Sequence, residues 1–326
     1  MLVAMSIVFI GTPDFAVPSL RRLAADGHVI TAAITQPDRP AGRGRRLAPP
    51  PVKVAAEELG LAVLQPPTLR DAGQLDAIRA LQPEVIVAIA YGQILRQELL
   101  DIPPRGVLNV HPSLLPRHRG ASPIAGAILA GDDETGVSIM LMDASMDSGP
   151  VLAQRRVPIG PVDTTGTLTT SLADLGANLL TETLPRWLAG EIDPQPQDNS
   201  RATVTRLIRK QDGAIDWHLS AIEIWRRVRA YTPWPDAATR LTGETLLIRQ
   251  AWPVDGASGE PPGTVVALPP NVPPEARAAA FAVQTGDGLL AVLELQRAGR
   301  RSLYSADFAR GMPGIIGQRL ESPGKA

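Results

Sequence analysis

The chain has 326 residues, enough for two domains that each bury a core. Charged residues make up 20% and the formal net charge is −1, which favours neither a membrane surface nor general affinity for nucleic acid. Cysteine is absent, so disulfides, thiolate catalysis and cysteine-based zinc sites are excluded. The chain start lacks the layout of a signal peptide, and no apolar run reaches the roughly 18 residues of a membrane span. We therefore expect a soluble cytoplasmic protein without a membrane partner.

Apolar runs of strand length alternate with amphipathic helical segments through the first half of the chain. The predicted strands are residues 6–10, 28–34, 61–64, 84–90, 106–110 and 135–143. The first predicted helix begins after Asp14, and the others cover residues 52–59, 75–81, 122–129 and 164–188. The last of these helices is predicted to be broken by Gly166 and Gly176. Continuously apolar strands separated by such helices are typical of a parallel sheet covered on both faces. The predicted fold class is α/β, a doubly wound, Rossmann-like sheet.

Ligands of such sheets bind outside the carboxyl ends of the strands. Gly11–Pro13, Ala90–Gly92 and Asn109–His111 should therefore converge on one crevice. Asn109 and His111 are two residues apart, so in a strand both project to the same face, while Val110 packs on the other. An amide that donates and an imidazole that carries a proton suit attack on a carbonyl group, although either residue could simply be a satisfied turn residue.

A dinucleotide site is disfavoured because the first strand leads into Gly11-Thr12-Pro13-Asp14 instead of a G-x-G-x-x-G turn. The second strand ends in Thr35-Gln36, where a ribose would need an acidic residue. The phosphate-binding motif G-x-x-x-x-G-K-[ST] is also absent.

Residues 36–47, the arginine loop, carry four arginines and one acid. The arginines are Arg39, Arg43, Arg45 and Arg46. A basic loop punctuated by glycine and proline suits contact with a phosphate backbone. The alternative is a solvated charged loop.

A second loop, which follows the predicted strand 135–143, carries Asp143 and Asp147. A carboxylate returned to the Asn109 and His111 pair could orient the imidazole and raise its basicity. The alternative is a turn carboxylate that caps its own backbone.

The segment 193–200 is polar and proline-rich, which predicts a linker. The predicted domains are residues 1–192 and 207–326, joined by a linker at 193–206. In the second domain, Ser220 and Glu223 form a capping box, and the helix after it should carry Ile224, Trp225 and Val228 on an apolar side and Arg226, Arg227 and Arg229 elsewhere. Short strands at 245–252, 263–267, 280–285 and 289–296 favour a small β-barrel.

Together these motifs resemble the methionyl-tRNA formyltransferases from end to end. The matching segments are residues 9–16 (FIGTPDFA), 35–44 (TQPDRPAGRG), 90–92 (AYG), 109–111 (NVH), 113–117 (SLLPR), 142–143 (MD), 147–149 (DSG), 215–217 (IDW) and 229–235 (RAYTPWP). Pro112 departs from the pattern, which has glycine there. The resemblance implies the formyltransferase fold and, for the second domain, an oligonucleotide-binding (OB-like) barrel that contacts tRNA.

The resemblance also implies the reaction and its residues. The formyl group of 10-formyltetrahydrofolate passes to the α-amine of methionine on initiator methionyl-tRNA for translation initiation. Asn109 and His111 stabilise the oxyanion, while Asp147 holds His111 and helps to remove the amine proton. The implied folate-binding residues are Ser113, Leu114, Leu115, Pro116, Tyr91, Gly92 and Asp143, and the implied tRNA-binding residues are Arg39, Arg43, Arg45 and Arg46. No metal is expected, and we expect a monomer.

Two other functions stay open at this point. A formyltransferase that acts on a sugar nucleotide or another small amine would share Asn109, His111 and Asp147, so only the arginine loop and the second domain argue against it. A non-catalytic RNA-binding module would have no use for an Asn and a His on one face of a strand end.

Overall fold

The computed structural model describes residues 5–41 and 46–323. These residues divide into two units. The first contains the residues up to Pro123 together with Glu134–Pro158 and Leu168–Thr205, and the second contains Ile124–Asp133, Ile159–Thr167 and the residues from Arg206 onward. The domain limits at residues 192 and 207 stay a prediction.

The first unit is built on a seven-stranded sheet. Its strands are β1 (Ser6–Gly11), β2 (Val29–Ile34), β5 (Val63–Leu64), β6 (Val85–Ile89), β7 (Val107–His111), β9 (Glu134–Leu141) and β10 (Val151–Pro158), and they lie in the order β10-β9-β7-β6-β1-β2-β5. Small pairs are formed by β3 (Arg39–Ala41) with β4 (Arg46–Ala48) and by β8 (Arg119–Gly120) with β11 (Val204–Thr205). The helices that precede β11 in the chain are α1 (Val17–Ala25), α2 (Pro51–Glu58), α3 (Ala72–Ala80), α4 (Gln97–Leu100), α5 (Pro123–Ala130) and α6 (Thr165–Leu188).

The sheet confirms the predicted α/β class. Strands β1, β2, β5, β6 and β7 run parallel, while β9 is antiparallel to both of its neighbours. All five residues of β6 are buried, as expected for a strand covered on both faces, and each buried valine or isoleucine contributes roughly 1.5–3 kcal/mol. The edge strand β10, which was not predicted from the sequence, has alternating exposure along its second half.

Helix α6 runs without a break from Thr165 to Leu188, so the predicted interruption at its two glycines is wrong. A Cβ atom on Gly176 would lie 2.7 Å from Cγ1 of Val110. The glycine therefore permits a close approach between α6 and β7. Because Val110 faces α6, Asn109 and His111 occupy the opposite face of β7, as predicted.

The polar, proline-rich segment after α6 is bonded to the first unit. Residues 193–205 belong to that unit, and Gln195 exchanges two backbone hydrogen bonds with Val151, at 2.8 and 2.9 Å. Further on, β11 pairs with β8 in parallel. Extended polar sequence is common to free linkers and to such bonded segments, which is why composition did not distinguish them.

The second unit contains a six-stranded antiparallel sheet. Its elements are α7 (Ala221–Ala230), β12 (Ala237–Leu241), β13 (Glu244–Val254), β14 (Val265–Ala267), β15 (Phe281–Gln284), β16 (Leu289–Arg297), β17 (Ser302–Tyr304) and α8 (Ser305–Arg310). The strands lie in the order β12-β13-β16-β15-β14, with β17 added beside β16, and this curled sheet confirms the small-barrel class. The predicted capping box is present, since Ser220 Oγ accepts from Glu223 N and Glu223 Oε2 accepts from Ser220 N. None of the helices in the described ranges is long and apolar enough to cross a membrane.

Candidate active site

The carboxyl end of β7 holds the Asn109 and His111 pair. His111 is buried, with 4% of its surface exposed, and Asn109 is half-buried. In the ladder, Asn109 pairs with Ala88 of β6 and Met140 of β9. The backbone of the pair is thus fixed from both sides by the centre of the sheet.

The hydrogen bonds of His111 define which ring nitrogen can react. Its Nε2 lies 3.0 Å from the carbonyl oxygen of His118. A carbonyl oxygen only accepts, so Nε2 carries hydrogen and donates, and in the neutral ring Nδ1 is left with a lone pair. Nδ1 lies 3.8 Å from Oδ2 of Asp147. The available proton acceptor is therefore Nδ1, beside a carboxylate.

Burial lowers the pKa of His111 below its ordinary value, while the Asp147 charge and the bond to the His118 carbonyl act in the opposite direction. The lowered pKa keeps the ring neutral at neutral pH. A proton that then arrives at Nδ1 creates a cation facing Asp147, which stabilises it. This is the arrangement of a general base, and later of a general acid.

Asp147 is held in an unusual conformation. Its φ is +49°, in the left-handed region that residues other than glycine uncommonly adopt, although Asp is found there more often than most. Its Oδ2 accepts a hydrogen bond of 2.7 Å from Gly120 N, and its carbonyl oxygen accepts one of 2.9 Å from Gln197 Nε2. The carboxylate that faces His111 is therefore fixed both through its own oxygen and through its backbone.

Unlike the side chains of His111 and Asp147, the side-chain amide of Asn109 has no hydrogen-bond partner among residues 5–41 and 46–323. A half-buried amide without a partner is a donor that is ready for a ligand oxygen. It lies on the same face of β7 as His111.

The segment after β7, residues 112–116, is fixed by two side chains of neighbouring strands. Ser138 Oγ donates to Ser113 O at 2.6 Å and accepts from Leu115 N at 3.1 Å. Gln154 Nε2 donates to Leu115 O at 2.8 Å. Ser113 and Leu115 are buried, whereas Leu114 and Pro116 are half-buried. Of the four folate-binding residues predicted here, only Leu114 and Pro116 thus present accessible side chains.

The remaining predicted folate residues lie at neighbouring strand ends. Thr12 Oγ1 donates to Tyr91 O at 2.9 Å, which ties the end of β1 to the end of β6. The Tyr91 side chain is buried in the apolar core, where desolvation raises its pKa to about 12. Gly92, at φ +87°, is exposed, and Asp143 accepts hydrogen bonds from Ser148 Oγ at 2.9 and 3.0 Å. Asp143 Oδ1 also accepts from Ser145 N at 3.0 Å, so Asp143 caps the backbone of its own loop, which was the alternative expected of a loop carboxylate.

Within the arginine loop, β3 and β4 pair antiparallel. Arg39 and Arg46 are exposed, whereas Arg43 and Arg45 lie outside the described residues. The residue before β3, Asp38, anchors the start of that strand, since it accepts from Lys53 Nζ at 3.0 Å and from Gln65 Nε2 at 2.7 Å. These bonds lower the pKa of Asp38, with the Gln65 bond as the largest cause.

Several residues that support the site were not predicted from the sequence. They are Arg119, Gly120, Ser138, Gln154 and Gln197. Each is separated in sequence from the group that it holds, and a lone glutamine or serine gives no local signal of such a contact. For metal binding, the residues with described positions contain no cluster of three or more His, Cys, Asp or Glu side chains.

Comparison with known proteins matches the chain in two consecutive parts. The family model "Formyl transferase" matches residues 5–184, and "Formyl transferase, C-terminal domain" matches residues 207–313. The methionyl-tRNA formyltransferase of Chloroflexus aurantiacus is 52% identical over 308 residues, which cover 94% of this chain and 97% of that one. The methionyl-tRNA formyltransferase of Geobacter sulfurreducens is 42% identical, with 99% of each chain covered.

Two solved structures share the fold at low sequence identity. HypX from Aquifex aeolicus, solved in complex with tetrahydrofolic acid, has a TM-score of 0.61 and 19% identity, covering 96% of this chain and 48% of its own. The sugar 3N-formyl transferase WlaRD has a TM-score of 0.65 and 16% identity, covering 91% and 99%. The family matches and the full-length relatives lead to one conclusion: the chain belongs to the methionyl-tRNA formyltransferase family.

Proposed function

We propose that this enzyme transfers the formyl group of 10-formyltetrahydrofolate to the α-amine of methionine on initiator methionyl-tRNA. The observation that carries the proposal is the pair at the end of β7: a buried, neutral His111 with a free Nδ1 beside a fixed carboxylate, and Asn109 with a free amide on the same face. The full-length relatives with this name support the choice of substrate.

In the proposed step, the amine nitrogen forms a bond to the formyl carbon and the bond from that carbon to N10 of the folate breaks. Asn109 donates to the formyl oxygen as negative charge develops there. Nδ1 of His111 accepts the proton that the amine loses and delivers it to the departing N10, so atoms and charges balance. Asp147 stabilises the imidazolium in between. The reaction gives N-formylmethionyl-tRNA and tetrahydrofolate.

Folate binding is proposed for Ser113, Leu114, Leu115, Pro116, Tyr91, Gly92 and Asp143, which lie at the strand ends around this pair. The structural supports are the accessible side chains of Leu114 and Pro116 and the exposed Gly92. The arginine loop is proposed to neutralise phosphates of the tRNA. We further propose that the enzyme is a monomer and that it acts in the cytoplasm, where charged initiator tRNA is used.

The test is transfer of a labelled formyl group from 10-formyltetrahydrofolate to charged initiator tRNA. Elongator methionyl-tRNA is the control, because it presents the same methionyl amine on a different tRNA. Transfer to the initiator at a higher kcat/KM is expected. Equal transfer to both, or none to either, would contradict the proposal.

A small-amine acceptor is the second candidate, favoured by the fold shared with the sugar 3N-formyl transferase. The same assay with an amino-sugar nucleotide as acceptor separates the two. Preference for the sugar nucleotide would establish the second candidate.

A further inference from the structure

Gln197 lies in the segment that follows α6, and its side-chain amide is fully used. Its Nε2 donates to the carbonyl oxygens of Asp147, at 2.9 Å, and Gly149, at 2.7 Å. Its Oε1 accepts from Nε and Nη2 of Arg119, at 3.0 and 2.8 Å. An amide has two donor hydrogens and two acceptor lone pairs, so all four positions are occupied.

Arg119 connects this amide to the rest of the segment. It is buried, with 8% of its surface exposed, and its Nη2 also donates to Asn199 Oδ1 at 2.8 Å. The backbone on both sides of Arg119 forms hydrogen bonds with active-site side chains. His118 O accepts from His111 Nε2, and Gly120 N donates to Asp147 Oδ2. One short stretch thus contacts the imidazole, the carboxylate and Gln197.

The same segment is tied to this stretch by its backbone. His118 N donates to Thr203 Oγ1 at 2.8 Å, and Arg119 N donates to Thr203 O at 2.9 Å. The 195–205 segment therefore lies along residues 118–121 as a continuous support.

The backbone that Gln197 holds is strained and crowded. Asp147 has a left-handed φ of +49°, which is less favourable than a negative φ for a residue with a side chain, although Asp adopts it more readily than most residues. Gly149 approaches Leu141 O so closely that a Cβ atom would lie 1.9 Å from it. Such a loop keeps its shape only when its surroundings fix it, and Gln197 bonds both residues at once.

We infer that Gln197, fixed by Arg119, is a positioning residue for the reaction: it holds the Asp147 backbone so that the carboxylate faces Nδ1 of His111. The expected effect on kcat rests on the proposed function, because it is measured as formyl transfer. The expected effect on the distance between Asp147 and His111 does not depend on the proposed function.

The test compares variants of Gln197 with variants of Gln195. Gln197→Leu removes all four hydrogen bonds, and Gln197→Glu keeps acceptors for Arg119 but cannot donate to the two carbonyls. Gln195, two residues earlier, is exposed and its side chain donates only within the segment, to Asp193 O at 3.0 Å. Gln195→Leu and Gln195→Glu are therefore matched controls.

Both Gln197 variants should lower kcat about 10- to 100-fold with KM for the folate within about twofold, because positioning acts on the reactive geometry rather than on binding. Both Gln195 variants should keep wild-type kcat. If Gln197→Leu does not fold, Gln197→Glu is read alone. Wild-type kcat in a folded Gln197 variant would overturn the inference.

A second readout does not depend on the reaction. The ring of His111 can be titrated by NMR in histidine-labelled protein. Burial, the largest cause, and the nearby His118 side chain lower the pKa of His111, whereas Asp147 and the hydrogen bond to the His118 carbonyl raise it. Displacing Asp147 should thus move the His111 midpoint to lower pH in Gln197→Leu, which adds no charge, and leave it unchanged in Gln195→Leu. An unchanged His111 midpoint would contradict the inference, whether or not the wild-type enzyme transfers the formyl group. Failure of the wild-type enzyme to transfer the group would contradict only the proposed function.

Arg119 supplies the final check. If it acts through Gln197, then Arg119→Met combined with Gln197→Leu should lower kcat by less than the product of the two single effects. Independent, multiplicative effects would overturn the part of the inference that assigns Arg119.

Discussion

Nδ1 of His111 lies 3.8 Å from Oδ2 of Asp147, a distance at which the two groups attract electrostatically without a hydrogen bond. The contact is therefore weak while the ring is neutral and strengthens when Nδ1 gains a proton. A histidine that acts first as base and then as acid needs a contact of this moderate strength, because its ring must both accept the proton and release it.

The buried His111 should make stability depend on pH. Its pKa in the folded protein lies below the unfolded value of about 6.5, so below that pH the unfolded chain binds more protons than the folded one. The free energy of unfolding should therefore fall as pH drops from 6.5 toward the folded pKa. His111→Gln, which can still donate to His118 O, should flatten this dependence in urea unfolding between about pH 5 and 8.

The matched control for this measurement is His218→Gln, at an exposed histidine of the second unit. Parallel curves for the wild type and His111→Gln, with the same steepness below pH 6.5, would show that His111 does not carry the effect.

Removal of the Asp147 charge should reduce turnover. Asp147→Asn keeps an oxygen that can accept from Gly120 N but no longer stabilises a cation at Nδ1. We expect kcat to fall by at least about a hundredfold, as we do for Asn109→Ala and His111→Ala. Single-turnover kinetics with charged initiator tRNA provide the measurement.

Asp101→Asn is the control, since Asp101 is an exposed carboxylate that accepts from Gln97 Nε2. Near wild-type turnover in folded Asp147→Asn would remove Asp147 from the proposed mechanism.

The sequence was sufficient for six of the seven strands of the central sheet, all except β10, and for the face shared by Asn109 and His111. Both follow from short-range periodicity, which a buried sheet preserves. The capping box of α7 was predictable for the same reason, because its two partners are three residues apart.

Contacts between distant segments could not be predicted. Arg229 was expected away from the apolar side of α7, yet it is buried with its guanidinium 4.3 Å above the Trp225 ring, donating to Asp163 O and Gly160 O. Gln197 was part of a predicted linker and instead holds Asp147. In both cases the partner is tens of residues away, and helical or compositional patterns carry no information about it.

Two glycines should respond in opposite ways to the same substitution. Gly73 lies in α3, and a Cβ atom added to it would have nothing within 4 Å, whereas a Cβ atom added to Gly149 would lie 1.9 Å from Leu141 O. Gly73→Ala should raise the free energy of unfolding by roughly 0.5–1 kcal/mol, since alanine loses less entropy in a helix. Gly149→Ala should lower it by about 1–3 kcal/mol or more.

Urea unfolding of the two variants beside the wild type gives both values. Each variant serves as the control for the other. Equal destabilisation by both would mean that the close approach at Gly149 is relieved at little cost.

The arginine loop separates a tRNA acceptor from a small amine. A small acceptor needs no loop with Arg39, Arg43, Arg45 and Arg46, whereas the acceptor end of a tRNA presents phosphates that must be neutralised before the amine reaches the crevice. Each phosphate contact releases counterions and adds about 0.7 to 0.9 to the log–log salt slope of affinity. Affinity for charged tRNA should thus fall steeply with salt, and folate affinity should not.

Arg43→Ala should raise KM for charged tRNA without changing folate affinity, because Gly42 and Gly44 on either side allow a close backbone approach. Arg45→Ala with Arg46→Ala should flatten the salt dependence. The charge-matched control is Arg79→Ala with Arg186→Ala, two exposed arginines of the same unit that pair with Asp76 and Glu191. KM and kcat are measured against ionic strength for each variant. If the variant lacking Arg43, Arg45 and Arg46 keeps both the wild-type slope and the wild-type kinetics, the loop is solvated surface, and the preference for a tRNA acceptor must come from elsewhere in the chain.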